Sequence, residues 1–167
     1  ILIVNGDAHH LEPEENCIFW NDRGQRFIDI SSKCGKDFQE KFVSRGSAVS
    51  DFDNDGDLDT LVLNLNDRPQ LLRNDGGNQN HWLMIDVRGT HSNRDAIGTR
   101  IRVTVGDKTQ TRDIISSSGY LSQSDHRAHF GLGQNAKADK IEIRWPDGQM
   151  QTLTDVPVNQ MLKIMEP

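Results

Sequence analysis

The residues best suited to chemistry in this sequence are five aspartates at alternate positions, Asp51, Asp53, Asp55, Asp57 and Asp59. Carboxylates this close raise the cost of ionising one another unless a cation lies between them. Calcium accepts oxygen ligands from a flexible loop, in which the first, third and fifth positions are Asp and the seventh binds through its backbone carbonyl. The pattern therefore predicts a Ca²⁺ site formed by these five residues, with Asp57 binding through its carbonyl and the other four through their side chains.

Two other interpretations of this loop are an EF-hand and a solvated acidic turn. Gly56 stands at the sixth position, where an EF-hand also has glycine, but the twelfth position is Val62 instead of a bidentate Glu and no helical pattern flanks the loop. An EF-hand is therefore excluded, and Leu58 is expected to turn inward and anchor the loop in a β-hairpin. A solvated acidic turn is the alternative, because Asp, Asn and Gly are ordinary turn residues.

The composition concentrates the charge of the chain in this loop. The chain of 167 residues has 25 acidic and 19 basic residues and a net charge of -6, and the loop alone contributes five of the acidic residues. No basic excess is present to attract nucleic acid or an anionic membrane surface, and no apolar run is long enough to span a bilayer. The absence of an initiator Met and of a signal peptide predicts a processed or excised piece of a longer chain.

The first part of the chain contains an internal repeat of short strands and turns. Residues 18–24 match residues 71–77 at an offset of 53, and residues 2–5 match residues 61–64 at an offset of 59. Such a period is typical of β-propeller blades, and a propeller needs at least four blades to close. The sequence therefore predicts partial propeller blades over 1–77, with an incomplete sheet that self-associates through residues 1–30 or leaves them mobile.

The second part of the chain shows the alternation of half-buried strands. A connector at 75–80 precedes seven apolar segments, which are 81–88, 99–105, 109–116, 127–132, 140–145, 149–153 and 161–165. Short strands separated by turns predict a small antiparallel β-sandwich or barrel over 81–167. The expected fold class is all-β throughout, with the calcium loop in the first domain and no long helix.

Several motifs in this chain resemble known families. Residues 45–59 are similar to FG-GAP or VCBS-type propeller repeats. The second part resembles the ASPIC/UnbV domain through its motifs Asn93-Arg94-Asp95-Ala96-Ile97-Gly98, Gly119-Tyr120-Leu121-Ser122-Gln123-Ser124-Asp125, His129-Phe130-Gly131-Leu132-Gly133 and Arg144-Trp145-Pro146-Asp147-Gly148. Together the two parts resemble the C-terminal part of the cartilage acidic protein family.

The resemblance implies a calcium-binding β-propeller followed by a small β domain, in a protein that is secreted, periplasmic or on the cell surface. In that pattern a metal loop precedes a strand like 2–5, so the chain begins just after such a loop. The implied function is an interaction or adhesion module without catalysis. Its partner would be an extracellular protein or a glycan, with no nucleic acid and no membrane insertion.

An enzymatic alternative rests on Ser122, Asp125 and His129, which superficially offer a nucleophile, an acid and a base for a hydrolytic or carbohydrate-active domain. No nucleophile-elbow pattern surrounds any serine, and catalytic partners normally converge from distant positions. A structural corner, in which Ser122 and Asp125 bond the backbone and His129 packs within a strand, is favoured.

The three tryptophans could stack on sugars, but in β proteins they are more often core residues. The tryptophans are Trp20, Trp82 and Trp145.

Two further hypotheses concern the polar residues near the start of the chain. A second metal site is conceivable from a mixed group, His9, His10, Glu12, Glu14 and Glu15. Adjacent histidines in an extended chain point in opposite directions, so a surface loop is the simpler interpretation. Cys17 and Cys34 permit one disulfide in a secreted chain, and two buried free thiols are the alternative.

Overall fold

The computed structural model describes residues 1–7, 9, 11–22 and 24–167. Its regular structure is almost entirely β, with 15 strands in several small sheets. The helical content of the described residues is three short 3-10 turns, at Ser31–Lys33, Asp37–Gln39 and Gly77–Gln79. None of these is long and apolar enough to cross a membrane, and the described sheets include no closed barrel. The all-β expectation is confirmed.

Residue contacts divide the chain into two compact units. The first unit contains residues 1–50, 59–74 and 118–124, and the second contains 51–58, 75–117 and 125–167. Each unit is thus assembled from separate stretches of the chain, and the acidic loop is counted with the second unit up to Leu58. The domain boundaries expected from the sequence, 1–77 and 81–167, stay a prediction.

The first unit contains three sheets of short strands, with the orders β1-β3-β4, β2-β5 and β6-β7-β8. The eight strands are β1 Leu2–Ile3, β2 Glu14–Glu15, β3 Cys17–Asp22, β4 Arg26–Asp29, β5 Lys41–Phe42, β6 Ser44–Ser50, β7 Asp59–Asn64 and β8 Gln70–Leu72. β3 and β4 form an antiparallel hairpin, in which Asp22 pairs with Arg26. Glu14 and Glu15 form strand β2 and pair with β5, so the expectation of a surface loop was wrong at these two residues.

The internal repeat is a repeat of strand pairing. In β1 and β3, Leu2 pairs with Ile18 and Ile3 pairs with Cys17. Shifting these positions by the two sequence offsets gives the corresponding pairs of β7 and β8, in which Leu61 pairs with Leu71 and Val62 with Gln70. Both pairs are antiparallel, so the matched segments adopt the same local structure with the same register.

The second unit consists of two sheets around one core. Its seven strands are β9 His81–Arg88, β10 Arg100–Val105, β11 Lys108–Asp113, β12 Ala128–Gly133, β13 Lys137–Arg144, β14 Met150–Pro157 and β15 Gln160–Met165. One sheet has the order β11-β10-β13-β14 and the other has the order β12-β9-β15. All seven predicted segments are strands. The expectation of purely antiparallel pairing was wrong, because β15 runs parallel to β9.

The core of the second unit follows from the alternation of its strands. Ile101 and Val103 of β10 and Ile141 and Ile143 of β13 are buried, while their sequence neighbours point the other way. Residues of β9, β12 and β15 supply the opposite side of the same apolar cluster. Trp145 is also fully buried in this cluster, which confirms the core interpretation of that tryptophan.

A buried carboxylate fastens the end of the chain to the loop after β9. Glu166 accepts hydrogen bonds from the backbone amides of Thr90, His91 and Ser92 and from the Ser92 hydroxyl, at 2.6 to 2.8 Å. Burial by itself would raise the pKa of Glu166, but these hydrogen bonds outweigh it and lower the pKa to about 2. The ionised side chain therefore satisfies three backbone donors at once.

Candidate metal-binding loop

The acidic loop connects β6 and β7, the two strands of an antiparallel hairpin. Ser50 and Asp59 are the last residues paired in that hairpin, and 51–58 form the connection between them. Asn54 and Gly56 have positive φ angles of 60° and 100°, which an asparagine and a glycine adopt more readily than other residues. The loop therefore reverses direction within a few residues and turns its aspartates toward one another.

Asp51 organises the interior of the loop. Its side chain is almost fully buried and accepts hydrogen bonds from the backbone amides of Asp55, at 3.1 Å, and of Gly56, at 3.0 Å. One oxygen of Asp55 accepts in turn from the backbone amide of Asp57, at 3.0 Å. The first part of the loop is thus folded around carboxylate acceptors, which explains why Asp at these positions gives a compact turn.

Three of the five predicted ligands are brought together. Carboxylate oxygens of Asp51, Asp53 and Asp59 all lie within 4.8 Å of one another, and within the described part of the chain this is the one group of acidic, His or Cys side chains close enough to hold a metal ion. Asp55 and Asp57 are not in this group. The Asp57 carboxylate accepts from the backbone amide of Gly77 at 2.9 Å, and the Asp59 carboxylate also accepts from the amide of Asn74 at 2.8 Å.

The spacing of these oxygens suits a hard divalent cation. Ligands on opposite sides of a calcium ion lie about 5 Å apart, because each metal–oxygen distance is about 2.4 Å. Two of the three carboxylates, those of Asp51 and Asp59, are buried, and carboxylate burial is costly without a compensating charge. The donor set, carboxylate oxygens without nitrogen or sulfur, fits calcium or magnesium better than zinc or copper.

A glycine and two aromatic rings hold the far side of the loop. A Cβ atom at Gly56 would lie 2.0 Å from Cε2 of Trp82, so the indole ring of β9 packs directly against the glycine backbone. His129 of β12 stacks beside Trp82, with ring centroids 6.3 Å apart, and its Nε2 lies 2.9 Å from the Gly56 carbonyl oxygen. A carbonyl can only accept, so Nε2 carries the proton in this contact.

Arg127 makes the second set of contacts with the loop. Its guanidinium donates to the Asp51 carbonyl oxygen and to the Asn54 side chain, both at 2.7 Å, and it pairs with the Asp125 carboxylate. Hydrogen bonding to Asp125 raises the pKa of Arg127, so this side chain is a permanent cation beside the loop. Both contacts of Arg127 with the loop are to uncharged oxygens, the Asp51 carbonyl and the Asn54 side-chain amide. These two hydrogen bonds therefore do not involve the cluster carboxylates.

Several expectations about the surrounding residues need correction. Leu58 does not turn inward, since 36% of its surface is exposed. The residue under the turn is Trp82, which the sequence identified only as a candidate core or sugar-stacking residue. Trp20 is half exposed, so the core interpretation of that tryptophan was wrong. The structural roles of Trp82 and Arg127 in the loop were missed because strand partners cannot be read from local sequence.

The residues of the enzymatic alternative each bond to a different group. The Ser122 hydroxyl donates to the Tyr120 carbonyl oxygen at 3.0 Å, and Asp125 accepts from the Arg127 amide at 2.9 Å as well as from its guanidinium. His129 is engaged with the Gly56 carbonyl. The backbone contacts predicted for Ser122 and Asp125 and the strand position of His129 are confirmed.

The two hypotheses about the start of the chain have different outcomes. Cys17 and Cys34 are free thiols in the structure, so the disulfide that the sequence permits is not formed. The alternative of two buried thiols is wrong as well, because Cys17 is half-buried and Cys34 is exposed. His10 of the second metal hypothesis lies outside the described residues. Of its other members, Glu15 pairs with Lys41 at 3.5 Å in the β2–β5 ladder.

Comparison with known proteins finds related proteins and a family model that matches part of this chain. The chain is 35% identical over 128 residues to cartilage acidic protein 1 of Mus musculus and equally to that of Homo sapiens, and 34% identical to the Xenopus tropicalis protein. These matches cover 73% of this chain and 19 to 20% of each relative, so the chain spans about a fifth of their length. Residues 89–167 of this chain, which include the strands from β10 onward, match the model of the ASPIC and UnbV family.

Proposed function

We propose that this chain is a calcium-binding interaction module of the extracellular space, without catalysis of its own. The observation that carries the proposal is the group of three carboxylates, Asp51, Asp53 and Asp59, with oxygens within 4.8 Å of one another. A calcium ion among them would offset their mutual repulsion and the cost of burying two of them. The Asp57 carbonyl and the Asp55 side chain are the next oxygens along the loop and would extend the ligand set.

Calcium binding and folding of the loop would be linked. A site of acidic side chains gains its full affinity only when the loop brings them together, so the binding free energy contributes to the stability of the hairpin. Trp82 and His129 contact the loop at Gly56, and Arg127 donates to the Asp51 carbonyl oxygen, so these contacts do not involve the cluster carboxylates. They would keep the loop folded enough to limit the ordering cost of binding.

Calorimetry on the chelated 167-residue chain tests the proposal. We expect calcium to bind with one ion per chain, and Asp53→Asn to remove that binding. Asp107→Asn, which removes the same charge from an exposed turn, is the matched control and should bind as the parent does. Unchanged calcium binding by Asp53→Asn, or none by the parent, would leave the solvated acidic turn as the correct interpretation.

We also propose that the first unit is part of a β-propeller of the FG-GAP type. The support is the repeat, in which β1–β3 and β7–β8 share one antiparallel register. Ile1, Ile3 and Phe27 on the first sheet are 63%, 44% and 56% exposed. Apolar sheet faces of this kind are normally covered by a neighbouring sheet, and an uncovered one promotes association with another chain.

Light scattering combined with hydrogen exchange tests this second proposal. The chain should self-associate at high concentration through residues 1–30, and Phe27→Ser should weaken that association. A Tyr120→Ser variant, which also removes an exposed aromatic ring, serves as the control. A strictly monomeric chain with amides of residues 1–30 as protected as those of 81–167 would contradict the partial-propeller proposal.

A location outside the cell is supported by similarity to proteins named for cartilage, a tissue that consists mostly of extracellular matrix. Millimolar calcium in such compartments would keep even a weak loop site occupied. The non-catalytic part of the proposal is supported by the bonding of Ser122, Asp125 and His129 to three different groups. Hydrolysis of a generic ester or glycoside that Ser122→Ala abolishes would contradict it.

A further inference from the structure

The outer face of the four-stranded sheet in the second unit carries an excess of positive charge. Side chains that alternate with the buried residues of β10 and β13 point to this face, together with their register partners on β11 and β14. The charged members are four cations and two anions, namely Arg100, Arg102, Lys140, Arg144, Asp113 and Glu142. The chain as a whole has a net charge of -6, so this face is opposite in sign to the rest of the protein.

Among the residues that the structure describes, two of the four cations have a close anionic partner. Arg100 forms a two-point contact with the carboxylate of Asp113, at 2.7 and 3.0 Å. Lys140 pairs with Glu142 at 2.8 Å.

The guanidinium groups of Arg102 and Arg144 donate no hydrogen bond to a residue in the described part of the chain, although Arg102 interacts electrostatically with Glu142. Both arginines are exposed and on adjacent strands. Two guanidinium forks are therefore available to a ligand in solvent.

The register of this sheet places like charges together. Arg144 of β13 lies directly opposite Arg100 of β10. Directly opposed like charges destabilise a sheet, so the folded protein gains nothing from this pair by itself. Asp113 offsets part of this repulsion through its contact with Arg100, and an anionic ligand across β10 and β13 would offset more of it.

The neutral residues on the same face complement the arginines. Thr111 lies opposite Arg102, and Thr152 lies opposite Glu142, so hydroxyl donors flank the cations on both neighbouring strands. Guanidinium binds planar or tetrahedral oxyanions through two parallel hydrogen bonds. Among the outward positions of the four strands no aromatic side chain is present, so the face lacks the stacking platforms with which proteins bind single-stranded nucleic acid.

We propose that the outer face of β11-β10-β13-β14 binds a sulfated polysaccharide through Arg102 and Arg144. Arg102 and Arg144 are exposed on neighbouring strands, and an extended polymer can place successive sulfate groups over both of them. The proposal rests on the proposed function, because sulfated polysaccharides are met outside the cell. It adds the class of partner and the surface that contacts it.

Binding of heparin-derived oligosaccharides to the 167-residue chain tests the proposal. We expect saturable binding that weakens with salt, and the double variant Arg102→Gln/Arg144→Gln should bind about tenfold more weakly, as two exposed charge contacts are removed. The slope of log affinity against log salt should fall by about two, because two fewer counterions are released. Arg94→Gln removes an exposed arginine outside this face and should bind as the parent does.

Three results would overturn the proposal. One is equal binding by the parent and the double variant, and the second is equal binding of fully desulfated oligosaccharide. The third is stronger binding of single-stranded RNA of the same charge, which would assign the face to nucleic acid. The same titrations with chelator, and with Asp53→Asn, should leave oligosaccharide binding unchanged, so failure of the calcium proposal and failure of the glycan proposal are seen separately.

Discussion

The two units of this chain bury their apolar side chains to different extents. Sixteen buried apolar residues in the second unit form one continuous cluster. The described residues of the first unit include three buried hydrophobic residues, Phe38, Phe42 and Val62, while Trp20 and Phe27 remain more than half exposed. The second unit therefore has a hydrophobic core of its own. The sheets of the first unit leave large apolar side chains exposed to solvent.

The difference lies in how apolar residues alternate along the strands. In β10 of the second unit, buried Ile101 and Val103 alternate with charged residues, so one face is apolar and the other is wet. In β7 of the first unit, Val62 is fully buried, but Leu61 and Leu63 on the other face are also apolar and are 40% and 51% exposed. A sheet with two apolar faces is stable only when both are covered, so the two units should respond differently to the same substitutions.

The largest effect is expected from removing an aromatic ring in the second unit. Phe130→Ala should lower the free energy of unfolding by about 3 to 5 kcal/mol, because the side chain is fully buried and its removal leaves a cavity. Phe27→Ala, the same change in the first unit, should cost less than about 0.5 kcal/mol. Urea unfolding of both variants measures the difference, and equal losses would show that the first unit has a complete core.

A somewhat smaller effect is expected at the loop. Gly56→Ala should cost about 2 to 4 kcal/mol, because a Cβ there meets both a left-handed backbone and the Trp82 ring. Gly148→Ala shares the positive φ, at 93°, but has open space around it, so it should lose only about 1 to 2 kcal/mol. Thermal unfolding separates the two contributions. Equal losses would mean that Trp82 moves aside freely.

The third effect is a loss of stability of the second unit at low pH. Glu166 has a pKa of about 2 in the folded protein against 4.5 ordinarily. Because the folded value is depressed, the stabilisation is complete above pH 4.5 and is lost as the pH falls toward 2. The protection of second-unit amides from hydrogen exchange, measured relative to unstructured peptide at the same pH, should therefore fall over this range.

The variant Glu166→Gln should lower the melting temperature by several degrees at pH 7 and by little at pH 2. It keeps the shape of the side chain and removes its charge, so the two pH values isolate the effect of ionisation. A melting temperature difference that is the same at both pH values would show that the charge of Glu166 is unimportant.

The smallest effect is expected at the cysteines. Both thiols are free, so Cys34→Ala should change the free energy of unfolding by less than about 0.5 kcal/mol. A disulfide between Cys17 and Cys34 would instead contribute about 3 kcal/mol through the loop that it closes. Thiol titration of the denatured, unreduced chain should find two reactive groups, and finding none would contradict the free-thiol structure.

Local sequence predicted those features that depend on near neighbours. The seven strands of the second unit were found because their alternation is local, and the repeat was found because both copies keep the same residues in register. The parallel pairing of β15 with β9 was missed, since the two strands are separated by most of the unit. Local sequence contains no rule for which distant strand a terminal strand joins.

The candidate site shows the same limit. The aspartate alternation identified the loop, and the structure gathers Asp51, Asp53 and Asp59 within it. Trp82 of β9, His129 of β12 and Arg127, which precedes β12, support the loop, and all three lie well beyond it in sequence. Leu58, the apolar residue nearest the turn, was the natural local choice of anchor and is exposed.

The contact between Gly56 and Trp82 makes this loop visible to optical spectroscopy. The chain has three tryptophans, and the other two differ from Trp82 in environment, since Trp145 is fully buried and Trp20 is half exposed. With both of those replaced by phenylalanine, emission would come from the one indole that touches the loop backbone. The protein thus contains its own fluorescent reporter, through which each rearrangement of the aspartate turn can be followed in time without an added label.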